Sequence, residues 1–299
     1  MTKDITGHAI VAAVDGSESA RHAALWAAVE ASHRHLPLRI VNAVKVPAVP
    51  YSGRTVEQRY IDVLVHDGRD LVAGIKADIT EIHPDLEVHS DVVLADSVAT
   101  LVAESGSAAM LVLGSSGLGG FSGMLAGSTA VALVAHGHCP VAVIRSRTPD
   151  GVPPAGGPVV VGVDGSDASE AAVELAFEEA SLRGADLVAV HTWTEYASDS
   201  AYAYARQFVQ DWDAIEAKQR EMLAERLAGW QEKYPDVIVR RIVTRDRPVS
   251  ALLEQSANAQ LLVVGSRGHG GFTGMLLGST SQALIYHATC PLIVARPAH

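Results

Sequence analysis

Cysteine is scarce, with two in 299 residues, Cys139 and Cys290. Both stand in a His-x-x-Cys-Pro context, with His136 and His287, and that spacing suits neither a disulfide framework nor a zinc site. Buried, reduced thiols are the simpler reading. Basic charge is also in short supply: 23 Lys and Arg face 34 Asp and Glu, a net charge of −11. This excludes a nucleic-acid-coating protein and one held to anionic lipid, so any polyanion must be gripped locally. No apolar run approaches the ~18 residues of a spanning helix, and Met1 to His8 lacks the basic and apolar regions of a secretory signal. The expectation is a cytoplasmic protein without membrane insertion. Missing too are G-x-x-x-x-G-K-[ST] and, after the first strand, G-x-G-x-x-G, which argues against a P-loop GTPase or an NAD dehydrogenase. There is no H-E-x-x-H or C-x-x-C, and no credible Ser/His/Asp set.

What is present is a repeat. Val14-Asp15-Gly16-Ser17 returns as Val163-Asp164-Gly165-Ser166, 149 residues later. Gly114-Ser115-Ser116-Gly117 through Arg145 returns as Gly265-Ser266-Arg267-Gly268 through Arg296, now 151 residues later. His83-Pro84-Asp85 already aligns with Tyr234-Pro235-Asp236 at the larger offset, so the two-residue insertion lies upstream, after the second strand. Residues 150–158, rich in Gly and Pro, read as a linker between domains at 1–149 and 159–299.

Each half alternates strands and helices. Ala9–Val14 and Val159–Val163 are short apolar runs, as expected of strands buried on both faces of a parallel sheet. Each ends in Asp-Gly-Ser, where Ser17 or Ser166 can cap the next helix. Second strands are expected at Leu38–Val44 and Leu187–Trp193, third at Leu86–Val93 and Val237–Val243. Fourth strands fall at Met110–Leu113 and Leu261–Val264, fifth at Val141–Ile144 and Leu292–Val294. Leu71, Ile75, Ile79 and Ile82 share a helical face, as do Leu223, Leu227, Trp230 and Tyr234. Pro84 and Pro235 stop those helices, and short helices follow around Val98–Glu104 and Val249–Gln255. The pattern predicts an α/β protein of two tandem doubly wound domains, with a ligand at the carboxyl ends of the strands beside the reversal in strand order.

The most informative stretch is Gly114-Ser-Ser-Gly117, nine residues, then Gly127-Ser128-Thr129, repeated as Gly265-Ser-Arg-Gly268, nine residues, then Gly278-Ser279-Thr280. In each copy a buried strand runs into a glycine-rich loop and then a helix. Glycines admit close approach of a ligand to the backbone, and the helix start offers unpaired amides and a positive dipole end. That combination suits a phosphate chain and supplies attraction that the net charge denies. Asp15 and Asp164, at the end of the first strands, are suited to a ribose or a phosphate-bound cation, or else to capping the helix beside Ser17 or Ser166.

The Val-Asp-Gly-Ser start, the doubled G-x2-G-x9-G-[ST] signature and the closing Cys-Pro before an apolar strand resemble the universal stress protein family in its tandem two-domain form. The resemblance spans nearly the whole chain. It implies five parallel strands per domain in the order 3-2-1-4-5 and an adenine nucleotide, usually ATP, with Mg2+ an open question, in each crevice. On that reading Asp15 meets the ribose, Gly114, Gly117, Gly127, Ser128 and Thr129 hold the phosphates, and backbone near Ala43 meets adenine. The second-half counterparts are Asp164, Gly265, Gly268, Gly278, Ser279, Thr280 and Thr192. Ser116 departs from the family pattern where the second copy carries Arg267; this residue either neutralises phosphate or is a solvated surface charge.

The expected function is an ATP-binding stress-response regulator with little or no turnover, engaging protein partners. A slow ATPase or nucleotidyl-transfer enzyme is the alternative, and an assembly module with vestigial crevices a third. Catalysis would want a cluster of cations and a water-orienting base. The loops offer Arg267 and His269 in one copy, and Leu118 replaces His269 in the other. His136 and His287 are expected to face the core or the domain contact. The two halves should pair within the chain through Val141–Ile144 and Leu292–Val294, since covering these edges prevents stray pairing; a homodimer of chains is left open.

Overall fold

The structure, a computed structural model, describes residues 8–46, 58–117, 126–146, 148, 150–193, 212–268 and 276–297. The first half contains β1 (Ile10–Ala13), α1 (Glu18–Arg34), β2 (Leu38–Ala43), α2 (Gln58–Ile82), β3 (Val88–Val93), α3 (Ser97–Glu104), β4 (Met110–Gly114), α4 (Ser128–His136) and β5 (Val141–Ile144). The second repeats the order with β6 (Val159–Gly162), α5 (Asp167–Arg183), β7 (Leu187–Thr192), α6 (Trp212–Lys233), β8 (Val239–Thr244), α7 (Pro248–Ser256), β9 (Leu261–Gly265), α8 (Ser279–His287) and β10 (Leu292–Ala295).

Within each half all strand pairs are parallel, in the order 3-2-1-4-5. The halves join where β5 pairs antiparallel with β10, Ala142 facing Ile293, so one ten-stranded sheet runs β3-β2-β1-β4-β5-β10-β9-β6-β7-β8. The edges expected to meet do meet, which leaves β3 and β8 as the two outer strands.

Alternation along each strand builds two cores. Ile10 and Ala12 face α1 and α2, while Val11 faces the side that carries α3 and α4. Both cores continue across the seam into the second half, where Phe177 of α5 stacks on Trp230 and Tyr234 of α6. On α2 the buried stripe is Gly68, Val72, Ile75 and Ile79, and Ile82 is 62% exposed. The apolar face therefore begins earlier than the sequence periodicity suggested and ends before the helix does. The third strands also start two residues later than expected, at Val88 and Val239.

Cys139 and Cys290 are free and buried, and burial pushes the Cys139 thiol up to about 11, which keeps it protonated. His136 and His287 correct an expectation: both are exposed. On α4 and α8 the core positions are taken by Leu133 and Val134, and by Leu284 and Ile285, so the last-turn histidines point to solvent. Among the described residues no helix is long and apolar enough to cross a membrane.

Candidate functional site

Each candidate site is built at the carboxyl end of the first strand. Gly16 and Gly165 take φ of 91° and 82°, a turn that glycine makes without strain and that swings the chain into the helix. Asp15 Oδ1 accepts from the Ser17 N–H at 3.0 Å and from its hydroxyl at 2.7 Å; Asp164 repeats this with Ser166 at 3.0 and 2.6 Å. The serine oxygens in turn cap the helices, accepting from the amides of Ala20 and Ser169. Asp15 and Asp164 therefore cap indirectly: they fix the serines that cap α1 and α5.

The other carboxylate oxygen faces the glycine loop. A Cβ on Gly117 would overlap Asp15 Oδ2, and one on Gly268 would overlap Asp164 Oδ2. Gly114 and Gly265 have a different duty. A Cβ there would lie 2.6 Å from the Ser19 or Ala168 backbone carbon, so these glycines let the fourth strand pack against the first turn of α1 or α5. The loop is drawn shut by Gly127 N–H donating to the Ser115 carbonyl at 2.7 Å, and Gly278 N–H to Ser266 at 2.9 Å. Gly127 and Gly278 then start α4 and α8 without any side-chain cap, so the first-turn amides have no side-chain acceptor. Ser128 and Ser279 are exposed there, and Thr129 and Thr280 half-buried. Ala43 and Thr192 lie half-buried at the ends of β2 and β7, on the strand next to β1 or β6. Arg267 and its counterpart Ser116 are exposed, with their carbonyls 3.4 and 3.3 Å from the capping serine hydroxyls. The structure thus gathers every sequence-predicted residue at the same end of its half of the sheet. His269 and Leu118 fall outside the described residues.

Two pairs escaped the sequence reading. The Asn42 amide donates to the Val14 carbonyl at 2.7 Å, and His191 Nδ1 lies 2.7 Å from the Val163 carbonyl. Both are buried and brace the peptide that leads into the site aspartate. The repeat carries the signal, a polar residue in an apolar strand at matching positions. His191 Nε2 meets Gln219 Oε1 at 2.9 Å, whereas a Cβ on the aligned Gly68 would lie 2.7 Å from Asn42 Oδ1. The second missed pair is Arg145 and Arg296, which end the fifth strands and reach across the seam to helix carbonyls of the opposite half.

A tandem, doubly wound α/β fold with a glycine loop and an uncapped helix start in each half defines the class. A family model described as "Universal stress protein family" matches residues 8–145 and 157–296. A universal stress protein of Mycobacterium tuberculosis is 42% identical over 299 residues, covering 99% of each chain. A second from that species is 41% identical over 295 residues, covering 96% of each. The crystal structure of a universal stress protein from Archaeoglobus fulgidus superposes with a TM-score of 0.67 at 19% identity, over 97% of this chain and 96% of that one. The chain belongs to the universal stress protein family.

Proposed function

We propose that each half binds one adenine nucleotide, ATP above all, and that the chain acts as a cytoplasmic stress-response regulator rather than as a fast enzyme. The observation that supports this reading is the duplicated approach of a carboxylate oxygen to a glycine that has no room for a side chain, beside a helix start with no cap of its own. A phosphate chain lying over Gly117 and Gly127 meets the amides and hydroxyls of Ser128 and Thr129, with the positive end of α4 behind them. Gly268, Gly278, Ser279 and Thr280 do the same in the second half. Gly114 and Gly265 set the loops' position through packing. Asp15 and Asp164 accept from the ribose hydroxyls, and a Mg2+ carried by the nucleotide finds a carboxylate there. The backbone at Ala43 and Thr192 takes the adenine edge. The domains that do this are 1–149 and 159–299, joined by 150–158.

Calorimetric titration with ATP tests the reading: two nucleotides per chain are expected, and no binding at millimolar ATP would end it. Release of far more than two ADP per chain under excess ATP would replace the regulator with an ATPase.

A further inference from the structure

Arg145 and Arg296 are half-buried cations that the candidate site leaves unused. Arg145 Nη1 donates to the carbonyls of Tyr286 and Ala288 at 3.0 and 3.3 Å, at the C-terminal end of α8. Arg296 Nη2 donates to the Val134 carbonyl near the end of α4. Each arginine therefore holds, from behind, the helix whose front end opens onto the other half's candidate site. α4 and α8 have nine residues each, about 13 Å of rigid rod.

These bonds close into a ring. Gly127 N–H donates to Ser115 O, and Ser115 N–H to Ile144 O at 3.2 Å. The next residue is Arg145, which holds α8. At the front of α8, Gly278 N–H donates to Ser266 O, and Ser266 N–H to Ala295 O at 2.9 Å. Arg296 follows, and it holds α4, which begins at Gly127. The path passes through both loops, both fifth strands and both site helices.

The arrangement is costly. Arg145 Nε and Nη2 and Arg296 Nε are buried without a partner. Burial pulls Arg145 down to about 10, and burial followed by the nearby Arg267 charge pulls Arg296 down as well. An interface built only for stability would use apolar side chains here.

We propose that Arg145 and Arg296 are positioning residues that couple the two nucleotide sites, so that filling one prepares the helix of the other and the second nucleotide binds more tightly than the first. This rests on the nucleotide reading above. A phosphate held by loop and helix in one half orders Ser115 or Ser266, hence the following arginine and the far helix, and the second ligand meets a smaller ordering cost. A polyphosphate beside Arg267 also relieves its repulsion of Arg296, and by linkage the effect is mutual.

The test is calorimetric titration of the full chain with ATP, compared across wild type, Arg145→Met, Arg296→Met and Arg145→Lys. The wild type should bind two ATP with the second about fivefold tighter than the first after statistical correction. Both Met variants should still bind two, now independently, and Arg145→Lys should regain part of the coupling because it keeps a cation at the α8 carbonyls. Should one Met variant fail to melt cooperatively, the other and the Lys variant carry the comparison. Independent sites in the wild type, or coupling unchanged in the Met variants, overturns the proposal. Stoichiometry separates the two failures: zero ATP bound sinks the nucleotide reading and the coupling with it, whereas two bound without coupling sinks only the coupling.

Discussion

Asp15 and Gly117 stand so close that a methyl group on the glycine would overlap the carboxylate Oδ2, and Asp164 and Gly268 repeat the relationship. The obstruction is local, since Gly117 and Gly268 lie in loops outside the regular elements. Gly117→Ala and Gly268→Ala should therefore each lower ATP affinity at one site by at least about tenfold, roughly 1.4 kcal/mol, with far-UV circular dichroism unchanged. Titration of either variant should still resolve two sites, one of them weakened by at least about tenfold. Two sites retained at unaltered affinity in both variants would remove these glycines from the binding surface.

Glu30 and Glu179 meet across the seam between α1 and α5, 1% and 0% exposed. Arg34 and Arg183 each bond to both carboxylates, Arg34 to Glu179 at 2.6 Å, Arg183 to Glu30 at 2.5 Å and to Glu179 at 2.9 Å. The two buried carboxyls lie close enough that their charges oppose each other. Burial, then the Glu179 charge, raises Glu30 from 4.5 to about 7. Burial also works to raise Glu179, but Arg183 and Arg34 overcome it and hold that carboxyl below its usual range. Between pH 4.5 and about 7 the folded chain thus keeps a proton on Glu30 that the unfolded chain has lost. Folding stability should fall as pH rises through that window, by at most about 1.4 kcal/mol per unit, as the Glu30 contribution is lost. Glu179 acts oppositely, its contribution present above the ordinary carboxylate range and lost toward acid. Urea unfolding at pH 5.5, 6.5 and 7.5 reads this slope, and Glu30→Gln, which makes the neutral form permanent, should flatten it. A slope identical in the variant would place the proton elsewhere.

The exposed side chain of Arg267 distinguishes the two loops, since Ser116 holds the aligned position. Arg267→Ser should weaken the second site by about tenfold, within the range of a charged hydrogen bond, and reduce its salt dependence, with a smaller change at the first site through the coupling. An unchanged second site would make Arg267 a solvated surface charge.

What was legible in the sequence follows a physical pattern. β1, β4, β5 and their counterparts are continuous apolar runs because both their faces are covered, and the repeat made their positions doubly visible. The glycine loops were legible by spacing, though the duty of Gly114 and Gly265 toward α1 and α5 depends on an approach between chain segments that only the fold creates. The helix-end histidines were misplaced because a His three residues before Cys-Pro carries no sign of which face it takes. The Glu30–Arg34 and Glu179–Arg183 quartet looks, in sequence, like two ordinary i, i+4 pairs on helix surfaces. Its burial arises from the meeting of elements 149 residues apart, and the same holds for the caps made by Arg145 and Arg296.

The repeat also supplies a natural experiment at the ends of α1 and α5. His35 takes φ 52° and ψ 40°, and Gly184 takes 56° and 40°, and in both the cap N–H bonds back to the last turn. A residue with a Cβ pays roughly 1–2 kcal/mol for this left-handed conformation, while glycine loses about 0.5–1 kcal/mol more backbone freedom on folding. The balance favours glycine. His35→Gly should raise stability by up to ~1 kcal/mol, equivalent to about 2–4 °C in melting temperature for a chain of this kind. Gly184→Ala should lower it by a similar amount, and since no atom lies within 4 Å of a Cβ built there, the loss would come from the backbone alone. A melting temperature that drops in His35→Gly would mean that the imidazole makes a stabilising contact worth more than the strain it carries.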